Sequence, residues 1–170
     1  MITLYLGIPA VSGIDWDRVR WSAIQDNLKQ WLNSCGASDL VRVVITDKRH
    51  TMGAQDGLVY LVGDLTDSII ARVGAVGSGE FHIGSTSSLR GEMISEVYLN
   101  FMSSYGIAAT IYHELLHNKF RLSRDIHVEP DGNFMSASAP YSTGGPSAGD
   151  QKVMRDALAE HATQYQGALN

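Results

Sequence analysis

The chain has 170 residues, 44% hydrophobic and 18% charged, the balance of one globular domain large enough to bury a core without staples. A net charge of −5, with no basic run longer than two, speaks against nucleic acid or an anionic membrane surface as the main partner. No stretch approaches the roughly 18 apolar residues of a membrane-spanning helix, and the one cysteine, Cys35, cannot form an internal disulfide.

Met1 to Gly7 is apolar and has no Lys or Arg ahead of its hydrophobic stretch, so it reads as a first strand rather than a signal peptide. The expected setting is the cytoplasm, or export by a non-standard route. Residues 2–8 alternate in the manner of a half-buried strand. Ser12-Gly13-Ile14-Asp15 offers cap chemistry for an amphipathic helix from Trp16 to Asn33. There Val19, Ile24, Leu28, Trp31 and Leu32 recur at helical spacing, and Gly36 marks the end. Leu40 to Thr46 and Gly57 to Leu65 are rich in β-branched and apolar residues and predict two more strands.

Val73 to Leu89 is dense in glycine, serine and threonine, and predicts a long loop or an irregular strand pair. Within Gly91 to Asn100, the run Ile94 to Leu99 alternates as a strand. Ser103-Ser104 can cap a second helix over about Tyr105 to Leu122, with Ile107, Ile111, Leu115 and Leu122 on its buried side. Residues 123–149, rich in proline and glycine, are too long for a mere connector. Ser147 or Asp150 opens a final helix with Val153, Met154, Ala157, Leu158 and His161 on one side. There are no internal repeats. The order predicts one α+β domain over residues 1–170: a single mixed β-sheet with an N-terminal helix, an active-site helix and a C-terminal helix.

The chemistry concentrates in His113-Glu114-Leu115-Leu116-His117, inside the second helix. Histidines four residues apart are rotated by only about 40° and separated by about 6 Å along the axis, so both imidazoles can reach one cation. Neutral imidazole is a good zinc ligand. Glu114 points to the neighbouring sector, where it meets a water in the open coordination position rather than the metal. Zinc makes that water acidic, and the carboxylate removes its proton as it attacks a carbonyl. Three of the six histidines fall in the fifteen residues from His113 to His127. The pattern is short, and its bland counterpart is a helix with two ordinary histidines and a solvated glutamate.

A catalytic zinc site needs a third protein ligand, and His127 is the nearest candidate. It opens His127-Val128-Glu129-Pro130-Asp131-Gly132-Asn133-Phe134-Met135. Together with the helical motif, this stretch resembles the metzincin metallopeptidases, and among them the matrixin-like branch. The resemblance implies a metzincin-like zincin fold and a zinc endopeptidase acting on protein or peptide substrates. It implies His113, His117 and His127 as metal ligands and Glu114 as the catalytic base. It further implies Met135 as the methionine of the turn beneath the metal, and Pro140-Tyr141 as a wall of the pocket for the residue after the scissile bond. By the same resemblance, a sheet edge near Ser95 to Asn100 would pair with an extended substrate, unless the segment at 74–90 covers it. The family's motif usually has glycine three residues after the second histidine and the third histidine three further on. Here Phe120 takes the glycine position and His127 follows His117 by ten residues. The four extra residues amount to about one helical turn.

Several residues carry more than one reading. Met135 can be an ordinary core methionine, and Tyr141 can line the pocket or hydrogen-bond an oxyanion. His82 can bind a second metal or sit exposed in its loop, and His50 belongs to a polar turn. Glu160, on the last helix, is the rival third ligand: the gluzincin peptidases take theirs from a glutamate on a later helix. A peptidase-shaped zinc-binding module without turnover is the reading from another class, against which the presence of Glu114 argues.

Overall fold

Five short strands build one sheet in the computed structural model, which describes residues 2–7, 19–36, 41–46, 57–62, 84–89, 92–98, 103–119 and 145–167. Strand β1 (Ile2–Gly7) runs parallel to β2 (Val41–Thr46), with Ile2 opposite Val41. On its other side β1 runs parallel to β3 (Gly57–Val62), with Leu4 opposite Gly57. Strand β5 (Glu92–Tyr98) is parallel to β3, and β4 (Gly84–Leu89) pairs antiparallel with β5, giving the order β2-β1-β3-β5-β4. Antiparallel neighbours can be joined by a tight turn, whereas parallel ones need a crossover. Residues 90 and 91 alone separate β4 from β5, while helix α1 (Trp21–Ser34) lies between β1 and β2 in the chain.

The edge beyond β5 is therefore β4, which comes from the segment whose composition suggested a loop or irregular strand pair. Covered by β3 and β4, β5 buries four consecutive residues, Ser95 to Tyr98, instead of alternating. Burial on both faces erases the period-2 signal there.

Helix α1 starts at Trp21, with Ile24 N–H bonded to the Arg20 carbonyl at 3.1 Å and no side-chain cap. The expected cap residues Ser12 to Asp15 and the expected start at Trp16 lie outside the described residues. Its stripe Ile24, Leu28, Trp31, Leu32 is buried, while Asp26, Lys29, Gln30 and Asn33 face solvent. The Gln25 side-chain amide donates to the Val43 carbonyl at 3.1 Å and ties the helix to β2. Gly36 ends it at φ +73°, a left-handed conformation that costs glycine nothing sterically.

Helix α2 (Ser104–Lys119) opens with Ser103 Oγ accepting Gly106 N–H at 3.2 Å. It packs against α1 and against β3, β4 and β5. Residues Ile107 to Tyr112 and Glu114 to Leu116 are all buried. The expectation of one buried side is too narrow: α2 is a central helix, apolar almost all round because it is covered almost all round. Helix α3 (Ala148–Gly167) begins with a reciprocal cap. Ser147 N–H donates to Asp150 Oδ2 at 2.7 Å, and Asp150 N–H donates to Ser147 Oγ at 3.1 Å. Met154, Ala157 and Leu158 carry α3 into the common core. Among the described residues no helix is long and apolar enough to cross a membrane.

Candidate metal centre

Between Ile107 and His117, only His113 and His117 are reached by solvent; the nine other residues are buried. Within this span the two imidazoles share the side of the helix that solvent reaches. Their Nε2 atoms lie 3.1 Å apart, with ring centroids at 4.8 Å and planes tilted by 60°. Two zinc–nitrogen bonds of about 2.0–2.1 Å span that separation at an angle of about 95–100°, near the tetrahedral value. The same approach also lets one ring donate N–H to the other, depending on tautomer. The pair therefore fits a borderline cation such as zinc on spacing and on donor chemistry.

Glu114, between the histidines in sequence, is 4% exposed. Its carbonyl accepts a hydrogen bond from Ser95 Oγ on β5 at 3.4 Å. Ser95 is itself fully buried, so the bond crosses the sheet–helix interface away from water.

On another face of α2, Tyr112 Oη lies 3.1 Å from Cys35 Sγ and donates to the Asp150 carbonyl at 3.4 Å. Residues from the end of α1, the middle of α2 and the start of α3 thus meet at one phenol. Burial pushes the Tyr112 pKa far upward, and the hydrogen bond with Cys35 adds to the shift, so the phenol stays protonated. Near the start of α2, Tyr105 Oη accepts the Gly145 N–H at 2.6 Å and its ring meets Trp31 edge-on, centroids 5.1 Å apart.

Sequence reasoning missed Ser95, Cys35 and Tyr112 as supports of the motif. A signal for Cys35 was present: it follows Trp31 by four residues and extends the stripe Ile24, Leu28, Trp31. For Ser95 none was present, because a serine in a strand does not announce the helix it will meet.

His127, Met135, Pro140 and Tyr141 lie outside the described residues, as do His50, His82 and the segment 120–144. Glu160 is exposed on α3. Among the described residues no group of three His, Cys, Asp or Glu side chains stands together. Comparison with protein-family models, with curated proteins and with solved structures finds no match to the chain.

Proposed function

We propose that the chain is a zinc-dependent endopeptidase of metzincin-like fold, with His113, His117 and His127 holding the metal. The observation that carries the reading is the 3.1 Å approach of the two Nε2 atoms, both partly exposed beside the buried residues 107–112 and 114–116 of α2. When bound, zinc supplies Lewis acidity toward a peptide carbonyl and acidifies water. The Glu114 carboxylate takes up the proton that the attacking water gives away and returns it to the leaving amine. Burial suits this task, since a base shielded from bulk solvent acts on the one water held beside it. Ser95 and the surrounding apolar residues hold the backbone of that base in place. In the same proposal Met135 forms the turn beneath the histidines, and Pro140 and Tyr141 line the pocket for the substrate side chain after the scissile bond. His127 is favoured over Glu160 as third ligand because the Asp131-Gly132-Asn133-Phe134-Met135 stretch that follows it resembles the metzincin bend and methionine turn.

The test is Glu114→Gln, compared with the parent chain on peptides selected by cleavage of a peptide library. The variant is expected to keep its zinc and to lose hydrolysis by at least about 100-fold, the usual contribution of a positioned base. Undiminished cleavage would place the activity elsewhere. A parent chain that cleaves no peptide under zinc-replete conditions would favour the binding module without turnover.

A further inference from the structure

The motif helix is tied to its neighbours by a buried cluster of hydrogen-bonding groups that the reaction itself does not use. Tyr112 is fully buried, and its hydroxyl carries one proton. The hydroxyl lies 3.4 Å from the Asp150 carbonyl, which can only accept. The 3.1 Å contact with Cys35 pairs the phenol with the thiol, each of which can donate or accept. Cys35 is 2% exposed and ends α1, while Asp150 is 1% exposed and lies in the first turn of α3, where Ser147 locks it into the reciprocal cap. The three groups join α1, α2 and α3 inside a core whose other contacts are largely apolar and non-directional.

We infer that Tyr112 is a positioning residue for the metal site, setting the rotation of α2 through the Cys35 thiol on one helix and the Asp150 carbonyl on another. This inference rests on the reading of His113 and His117 as ligands. Apolar packing tolerates small rotations of a helix, because alternative contacts replace those lost; a buried hydroxyl with fixed partners does not. A rotation of about 10° moves a side-chain tip about 6 Å from the axis by about 1 Å. Errors of that size are large for a site whose donors come from more than one segment. The histidine pair belongs to one helix and turns as a unit, so its own spacing survives such a rotation. What changes is its relation to any ligand or substrate held by the rest of the chain. Tyr112 directly precedes His113, so the pinned point and the site it serves are one residue apart.

Full-length parent, Tyr112→Phe, Cys35→Ala and Cys35→Ser chains are compared for zinc affinity by chelator competition, for the visible spectrum of bound cobalt(II), and for thermal unfolding without metal. Tyr112→Phe and Cys35→Ala are each expected to weaken zinc by about 10-fold, as loss of a ligand-orienting contact does, and to alter the cobalt spectrum. Cys35→Ser retains a hydrogen-bonding group beside the phenol and is expected to restore parental affinity and spectrum. The cysteine variants carry the test if Tyr112→Phe does not fold. Parental affinity and spectrum in Cys35→Ala, with only a lower unfolding temperature, would reduce the network to a structural one and overturn the inference while leaving the zinc site intact. Equal weakening in Cys35→Ser and Cys35→Ala would overturn it too, because hydrogen bonding would then not be the cause. A parent chain that binds neither ion overturns the ligand reading and the positioning role with it.

Discussion

His113 Nε2 and His117 Nε2 lie 3.1 Å apart, close enough to share one proton or to meet one cation. The two options are exclusive, because ligation uses the lone pair on each Nε2 and moves the ring proton to Nδ1. The protein is expected to bind about one zinc per chain, the stoichiometry of a single tetrahedral site. His113→Ala and His117→Ala should each abolish that binding. Elemental analysis of protein purified without chelator measures the content, and retention of zinc by both variants would sink the site.

The third ligand separates two assignments. If α2 continued unbroken, His127 would lie about 15 Å beyond His117 along the axis, so ligation by His127 requires the chain to reverse. Ser123 and Asp125 suit a reversal, since their side chains compete for nearby backbone groups. Glu160 requires no reversal, yet it stands on the exposed side of α3, away from the face bearing Met154, Ala157 and Leu158. His127→Ala is expected to weaken zinc by more than about 100-fold, beyond the loss typical of an outer-shell change, and Glu160→Ala to leave it unchanged. Zinc dissociation constants for both variants in one buffer decide. Loss in the Glu160 variant alone would replace the metzincin assignment with a gluzincin one.

What was legible in the sequence was what local physics writes there. Ile24, Leu28, Trp31 and Leu32 recur with the helical period, and Gly36 sits where a left-handed residue stops the helix, so α1 could be placed from its middle to its end. Val19 and Arg20, expected inside the helix, instead precede its first turn, and Arg20, the residue that caps, offers no side-chain bond. The histidine pair was legible because i and i+4 share a helix face whatever surrounds them. Less legible was how deeply α2 is covered, since its polar Thr110 and Glu114 are buried by tertiary contacts rather than by any periodic pattern. Thr110 is accommodated by donating to the Gly106 carbonyl at 2.9 Å, one turn back. Strand β4 is ambiguous in the sequence between a loop and an irregular strand pair for a related reason: Gly84-Ser85-Thr86-Ser87-Ser88 has low strand propensity and is held by pairing with β5.

The buried phenol makes an alkaline prediction. Its folded pKa is raised above the unfolded value near 10 by burial and by the bond with Cys35. Above about pH 10 the unfolded chain therefore binds fewer protons than the folded one, and stability falls as pH rises. Below that pH the contribution is fully present. One proton corresponds to a slope of at most about 1.4 kcal/mol per pH unit. Urea unfolding at pH 8, 10 and 11 is expected to show a steeper alkaline loss for the parent than for Tyr112→Phe, which has nothing to ionise there. Parallel losses in the two chains would mean that other groups carry the alkaline transition.

Three glycines of different geometry give a graded test of the fold near the site. Gly149 lies in the first turn of α3 with ordinary backbone angles, and an added Cβ would meet only Ser147 Oγ at 3.5 Å. Alanine there gains helix propensity and restricts the unfolded chain, so Gly149→Ala should stabilise by about 0.5 kcal/mol. Gly36 has φ +73° and open space around the would-be Cβ. Alanine there meets only the backbone penalty, about 1 kcal/mol. Gly145 combines φ +80° with a Cβ position 3.3 Å from Trp31 Nε1, and its N–H is bonded to Tyr105 Oη. Trp31 cannot yield easily, since it is 5% exposed and packed edge-on against the Tyr105 ring. Gly145→Ala should therefore cost about 2 kcal/mol, the backbone penalty plus overpacking, and lower the unfolding midpoint by about 4–8 °C for a chain of this size. Thermal unfolding of the three variants without added metal reads the order directly: Gly149→Ala above the parent, Gly36→Ala below it, Gly145→Ala lowest. An indistinguishable Gly36→Ala and Gly145→Ala would show that Trp31 gives way, and that the contact from Gly145 to α1 and α2 does not hold the start of α3 against the core.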